Sequence, residues 1–108
     1  MKKEQVIEEL RQEMLKHAER AEWFKLHREF RLASFERLKH RAFWDILNAL
    51  EEKTDKQSAL ETFNAILYDY DMRVEGLLHK GLIALAENAE MQSEVCSYAI
   101  YIVSCRWD

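Results

Sequence analysis

Residues 20–50, RAEWFKLHREFRLASFERLKHRAFWDILNAL, decide the fold of this chain of 108 residues. The stretch contains two of the three Trp, four of the five Phe and seven of the sixteen Lys and Arg, with neither Gly nor Pro. Its apolar residues recur at intervals of three and four, the spacing that places side chains on one face of an α-helix. The stretch is therefore predicted to be helical.

The composition of the whole chain favours helices as well. Hydrophobic residues make up 48% of the sequence and aromatic residues 11%, which is enough apolar surface for a folded core. Zero Pro and two Gly leave few of the turn residues that β-hairpins require. We predict a single all-α domain over residues 1–108, a small bundle of four or five helices.

Two apolar stripes run along the N-terminal part of the chain. One passes from Val6 through Leu32 to Leu50 and is interrupted by Arg28 and Arg31. The other points the opposite way and is formed by Trp23, Leu26, Phe30 and Trp44. A helix in a small bundle usually buries one stripe, so the second stripe indicates either a break in the helix or a second covered face.

Two structures, a continuous helix and a helical hairpin, would each cover both stripes. A continuous N-terminal helix would run for some 45 residues, about 70 Å, and would need a partner molecule to cover it. A helical hairpin would break near Ser34, the one plausible helix N-cap in the region. We predict the continuous helix, because residues 27–37 contain no strong helix breaker.

Further boundaries are predicted in the second half. Residues 54–58 read as a loop, with Thr54 or Ser58 as the cap of the next helix. The core stripe of that helix is predicted to run on through Gly81, with a turn near 68–71 as the alternative. It includes Leu77, Leu78, Leu82 and Leu85. Residues 88–93 are predicted to form another loop, with Ser93 as a cap, and residues 95–105 a buried helix.

Sequence features indicate a cytoplasmic protein that does not cross a membrane. The start, MKKEQVIEEL, is too charged for a signal peptide, and no apolar run approaches the roughly 18 residues of a membrane helix. Cys96 and Cys105 lie nine residues apart, which on one helix is about 13 Å and too far for a disulfide. Unpaired thiols favour a reducing compartment.

Acidic and histidine residues give no catalytic motif. Three Glu-x-x-x-His pairs (Glu13/His17, Glu36/His40 and Glu75/His79) are explained as local surface pairs within helices. A metal-dependent hydrolase is the alternative, because five acidic residues resemble the paired acidic motifs of small helical nucleotide pyrophosphohydrolases, which bind magnesium. These residues are Glu8, Glu9, Glu13, Glu52 and Asp55, and their spacing departs from that family's pattern. We predict no enzyme activity, no metal and no cofactor.

The second apolar stripe is the predicted interaction site. Trp and Arg are enriched at binding hot spots, and Trp23, Leu26, Phe30 and Trp44 have no place in a core that uses the first stripe. We therefore predict a protein–protein interaction module (an adaptor, inhibitor or regulator) that associates as a homodimer and binds another protein.

A basic cluster is the second predicted site. Lys25, Arg28 and Arg31 are spaced by three residues, so they share one side of a helix and could bind an anion or an acidic partner. A nucleic-acid or nucleotide-binding regulator is the alternative function, although the pI of 5.6 argues against non-specific binding. Internal pairing with Asp69, Asp71 or Glu75 would instead make these cations structural.

Overall fold

Four α-helices make up the fold, and the computed structural model describes residues 2–108. They are α1 (Lys3–Leu26), α2 (Phe30–Glu51), α3 (Lys56–His79) and α4 (Ile83–Arg106). The predicted all-α bundle is confirmed with four helices, whereas the continuous N-terminal helix is wrong. The N-terminal stretch is a helical hairpin, and it breaks at residues 27–29 rather than near Ser34.

The break between α1 and α2 is a Schellman turn built without glycine. Arg28 has a φ of 59°, the left-handed conformation that ends many helices. The Glu29 amide donates to the Phe24 carbonyl at 2.8 Å and the Arg28 amide to the Lys25 carbonyl at 3.1 Å. A non-glycine residue in this position is uncommon, which is why the sequence carries no visible breaker here.

The turn between α3 and α4 has the same geometry. Gly81 has a φ of 76°, and its amide donates to the Leu78 carbonyl at 3.0 Å. The Leu82 amide donates to the Leu77 carbonyl at 2.9 Å. Gly81 therefore ends a helix, which corrects its predicted place within the apolar stripe.

The loop predicted at 88–93 is wrong because α4 runs through it, and the alternative turn near 68–71 is excluded because α3 runs through it, as the continuous stripe predicts. Residues 68–71 and 88–93 are helical. Ser93, predicted to be a cap, instead donates its hydroxyl to the Asp71 carboxylate at 2.7 Å and so joins α4 to α3. The loop predicted at 54–58 is present but lies at 52–55, because α3 already begins at Lys56. Its cap is Asp55, whose carboxylate accepts the Ser58 amide at 2.8 Å.

The helices form two antiparallel hairpins, α1–α2 and α3–α4, which pack together mainly through α2 and α4. Arg31 at the start of α2 binds Glu87 at the start of α4 at 2.8 Å, so these two helices run parallel. Both hairpin turns consequently lie at one end, the tip end. The opposite end is the base, where Arg106 of α4 reaches Glu9 of α1 at 3.4 Å.

The large core side chains lie towards the base. The bulkiest fully buried residues all come from the base halves of their helices: Val6, Leu10, Ile46, Leu50, Phe63, Cys96, Ile102 and Val103. Trp107, just past the end of α4, joins the same cluster. Burial of these side chains supplies most of the hydrophobic stabilisation of the bundle.

The two hairpins are structural repeats with an offset of 53 residues. The turn at Arg28 corresponds to that at Gly81, with equivalent backbone hydrogen bonds throughout. Buried positions also correspond, among them Leu10/Phe63, Ala33/Ala86, Phe43/Cys96 and Leu50/Val103. The inner helices α2 and α4 are parallel, and each outer helix meets the other hairpin through its inner helix, α1 with α4 and α3 with α2. This arrangement corresponds to an approximate two-fold axis that lies between α2 and α4 and runs along them.

Candidate protein-binding surface at the hairpin tips

Both hairpin tips carry large apolar side chains that the fold leaves exposed. The Arg31–Glu87 ion pair holds the tips side by side, so these side chains share one end of the molecule. Each is between 43% and 78% exposed, and together we call them the tip surface: Trp23, Leu26, Phe30, Leu32, Leu78, Leu82, Ile83 and Leu85.

The interior of the tip end shows the opposite pattern. The buried apolar residues there are small: Ala21, Ala33, Ala86 and Ala89. Alanine lets the helices approach closely but buries little apolar area. The large side chains at this end are therefore outside and the small ones inside, the reverse of the base.

The tip surface includes leucines that sequence periodicity assigns to the core. Leu32, Leu78, Leu82 and Leu85 were predicted to be buried and are exposed instead. They are exposed because the helices end before a further layer can cover them, as the turns at 27–29 and 80–82 show.

The structure separates the predicted interaction residues into two groups. Trp23 and Leu26 lie at the end of α1, and Phe30 begins α2 across the turn. Trp44 lies fourteen residues after Phe30, about 21 Å further along α2 and outside the tip. All four are exposed, and Trp23 stacks on His27 with ring centroids 3.9 Å apart.

The three predicted basic residues also lie at the tip, with different surroundings. Arg31 is held by Glu87, and its guanidinium lies 5.4 Å from the ring centroid of Phe35. The internal acid is thus Glu87, not the predicted Asp69, Asp71 or Glu75. Lys25 and Arg28 are exposed, and within residues 2–108 neither side chain has an ion-pair partner.

A groove opens between the starts of α2 and α4. Its volume is about 470 Å³, and Phe35 and Ile83 contribute apolar lining beside the Arg31–Glu87 pair. The groove continues the tip surface inward, because Ile83 belongs to both. An apolar side chain of a partner could enter here next to a fixed ion pair.

A buried contact between two polar side chains lies below the tip, where periodicity gave no signal. The His17 imidazole of α1 meets the Glu36 carboxylate of α2, and both residues are more than nine-tenths buried. His17 also stacks on Phe43, with centroids 5.5 Å apart. The two residues were predicted in separate surface pairs, His17 with Glu13 and Glu36 with His40, and those predictions are wrong.

The surroundings of this pair do not form a metal centre. Glu13 binds Lys16 at 3.0 Å, and the shallow cavity beside His17, about 170 Å³, mixes Glu13, Lys39 and Tyr98 with apolar groups. Across residues 2–108, no group of three or more His, Cys, Asp or Glu side chains is placed to hold a metal ion.

The two cysteines are free thiols in different settings. Cys96 is buried in the core, and burial, reinforced by Asp71 and Asp45, raises its pKa to about 12. Cys105 is exposed near the base. Since a thiolate is the reactive form, the Cys96 thiol is inert in the folded protein.

Comparisons with family models, curated protein sequences and solved structures found no match to this chain. None of the four helices is apolar over a sufficient length to cross a lipid bilayer, as judged for residues 2–108.

Proposed function

We propose that this protein is a protein–protein interaction module that binds another protein through the tip surface. The proposal rests on the distribution of apolar side chains at the tip end, where eight large ones are exposed and the buried ones are alanines. Exposed apolar patches of this kind on small proteins mark interaction sites.

The exposed area is sufficient for a specific complex. Aromatic side chains bury roughly 150–250 Å² each and Leu and Ile somewhat less, so eight such side chains that are about half exposed offer on the order of 700 Å². That is about what one partner contributes to a standard interface. Trp23 and Phe30 are the anchors expected to dominate the binding energy, because aromatic side chains bury the most area.

Charge at the rim indicates what the partner would carry. Lys25 and Arg28 are exposed and unpaired beside the apolar residues, and Arg31 is already neutralised by Glu87. We expect the partner to place an apolar helix or loop on the tip surface with acidic residues next to Lys25 and Arg28.

A mutational comparison tests this function. The double variant Leu26→Ser, Ile83→Ser removes one exposed side chain from each tip, and Tyr68→Ser removes an exposed side chain from the middle of α3. Affinity capture from the native host should recover a partner with the wild type and with Tyr68→Ser, but not with the double variant.

The captured protein is then purified and titrated against all three forms. Equal affinity of the double variant and the wild type, with unchanged circular dichroism, would refute the tip surface as the binding site. Retention of labelled oligonucleotide that weakens steeply with salt would support the nucleic-acid alternative instead.

A reducing compartment such as the cytoplasm is part of the proposal. Both thiols are free in the structure, and the exposed Cys105 would be open to oxidation elsewhere. Alkylation of freshly lysed host cells followed by mass spectrometry should find both cysteines as thiols. A disulfide or glutathione adduct on most molecules would contradict this location.

A further inference from the structure

The outward side of α2 forms a basic ridge. Arg37, Arg41 and Trp44 are exposed, and their spacing of four and three places them on one line along the helix. In projection this line lies roughly 130° from the mean direction of the buried residues of α2, so it is directed largely away from the core. We call these three residues the basic ridge.

The outward side of α4 forms an acidic ridge at the equivalent positions. Addition of the 53-residue offset to Arg37 and Arg41 leads to Glu90 and Glu94, which are also exposed. Tyr101, 55% exposed, continues the same line and supplies the aromatic group. We call Glu90, Glu94 and Tyr101 the acidic ridge.

The approximate two-fold axis places the ridges on opposite faces of the molecule. A rotation of 180° about an axis along α2 and α4 reverses every direction perpendicular to that axis. The outward side of α2 and the outward side of α4 therefore face opposite ways. The two faces therefore have a similar shape and carry opposite charge. Complementary charge on matched shapes is what one copy would present to the next.

Most of these charges have no ion-pair partner among residues 2–108. Arg37, Glu90 and Glu94 form no ion pair in the part of the molecule that the structure describes. Arg41 reaches only Asp45, one turn away at 3.4 Å, and its guanidinium lies 4.9 Å from the Trp44 ring centroid. Glu94 also lines the cavity beside His17, as does Lys39, and the charged groups of both ridges remain exposed and able to pair with an outside surface.

We propose that copies of this protein associate head to tail, with the basic ridge of one copy against the acidic ridge of the next. A symmetric dimer through either ridge would oppose like charges, which is unfavourable. A head-to-tail contact uses two different surfaces, so it propagates into a ring or a filament rather than stopping at two copies.

The contact between the two ridges is expected to be weak, because the charged groups that form it are exposed to solvent. Ion pairs at the surface are individually weak and are screened by salt, with a Debye length of about 8 Å at physiological ionic strength. Trp44 and Tyr101 add apolar area at either end of the charged segment. Association should therefore weaken by about tenfold or more between low and high salt.

Charge reversal on one ridge at a time provides the test. The variant Arg37→Glu, Arg41→Glu carries acids on both ridges, and Glu90→Arg, Glu94→Arg carries cations on both. Neither should self-associate, but an equimolar mixture restores complementary contacts and should associate as the wild type does. Lys2→Glu, Lys80→Glu is the control, since it matches the first variant in charge change outside the ridges.

Sedimentation velocity and light scattering at high protein concentration provide the measurements. The expected result is a mass well above 13.0 kDa for the wild type, the control and the mixture, and a monomer mass for each ridge variant alone. A monomeric wild type would overturn the proposal, and so would a mixture that stays monomeric or ridge variants that associate like the wild type.

This test is independent of the tip surface. None of its substitutions lies among the apolar tip residues, so a failure of ridge pairing leaves partner binding at the tips to stand or fall on its own experiment. Self-association that depends on the tip residues instead would overturn the ridge proposal.

Discussion

Removal of the Glu36 carboxylate should destabilise this protein, because it disrupts the buried contact between Glu36 and His17. Glu36 is 9% exposed and His17 is 8% exposed, and the two side chains meet across α1 and α2. Glu36→Ala therefore leaves a buried imidazole without its partner. Leaving a buried polar group without its hydrogen-bond partner typically costs about 1–3 kcal/mol, because that group stays desolvated.

The backbone itself should tolerate alanine at this position. The equivalent residue in the second hairpin is Ala89, which is buried in the same place on α4. The expected loss is therefore electrostatic and hydrogen-bonding in origin, not a helix defect. At about 4 °C per kcal/mol for a chain of this size, Tm should fall by about 4–12 °C.

A double-mutant cycle isolates the pair. His17→Leu keeps a side chain of similar size, and the combination of His17→Leu with Glu36→Ala removes both polar groups at once. We expect the double variant to be more stable than Glu36→Ala alone, because no unpaired polar group remains. Urea unfolding followed by circular dichroism gives the four free energies.

Additive effects of the His17 and Glu36 substitutions on the free energy of unfolding would refute the expected coupling between these residues. Single substitutions that each cost less than about 1 kcal/mol, with a double variant equal to their sum within about 0.5 kcal/mol, would show that the pair contributes no coupling. Trp fluorescence provides a second probe of the same transition, because unfolding exposes Trp107 at the base of the bundle, whereas Trp23 and Trp44 are already exposed in the folded protein.

Three further predictions concern the turns, a cap and the thiols. Arg28→Gly should stabilise the fold by about 1 kcal/mol in thermal unfolding, since φ is 59° there, while Gly81→Ala at φ 76° should destabilise it by a similar amount; a shift of the same sign for both would contradict this. Asp55→Ala should cost about 1 kcal/mol in urea unfolding through loss of the α3 cap, and Asp55→Asn should restore most of it. A thiol reagent at neutral pH should label Cys105 alone until the protein unfolds, as mass spectrometry would show. Because the pKa of Cys96 is about 12 when folded and 9.0 ordinarily, the unfolded chain loses this proton first, so unfolding free energy should fall as pH rises above about 9.

The helical class of the fold could be predicted from sequence, but the position of its first turn could not. The loop before α3 has polar residues and a capping side chain, which are local signals. The turn at 27–29 has none, because Arg28 adopts a conformation that favours glycine. The sequence feature that marks this turn is the presence of Arg28 and Arg31 within an otherwise apolar stripe.

The candidate site was only partly predictable for a related reason. Exposed and buried leucines look alike in a periodic pattern, so Leu78 and Leu82 were assigned to the core. Their exposure depends on where the neighbouring hairpin ends, which is tertiary information. The 53-residue repeat was also hidden, since it conserves burial and turn geometry far more than residue identity.

The division between a base packed with large side chains and tips packed with alanine implies a gradient of local stability along the bundle. Amide protons near the turns should exchange with solvent through small openings of the hairpin ends, while those beside Phe63 and Leu10 should exchange only when the whole domain unfolds. A partner bound at the tips would slow the first group without affecting the second. Each hairpin can thus adapt its end to a ligand while the base preserves the fold.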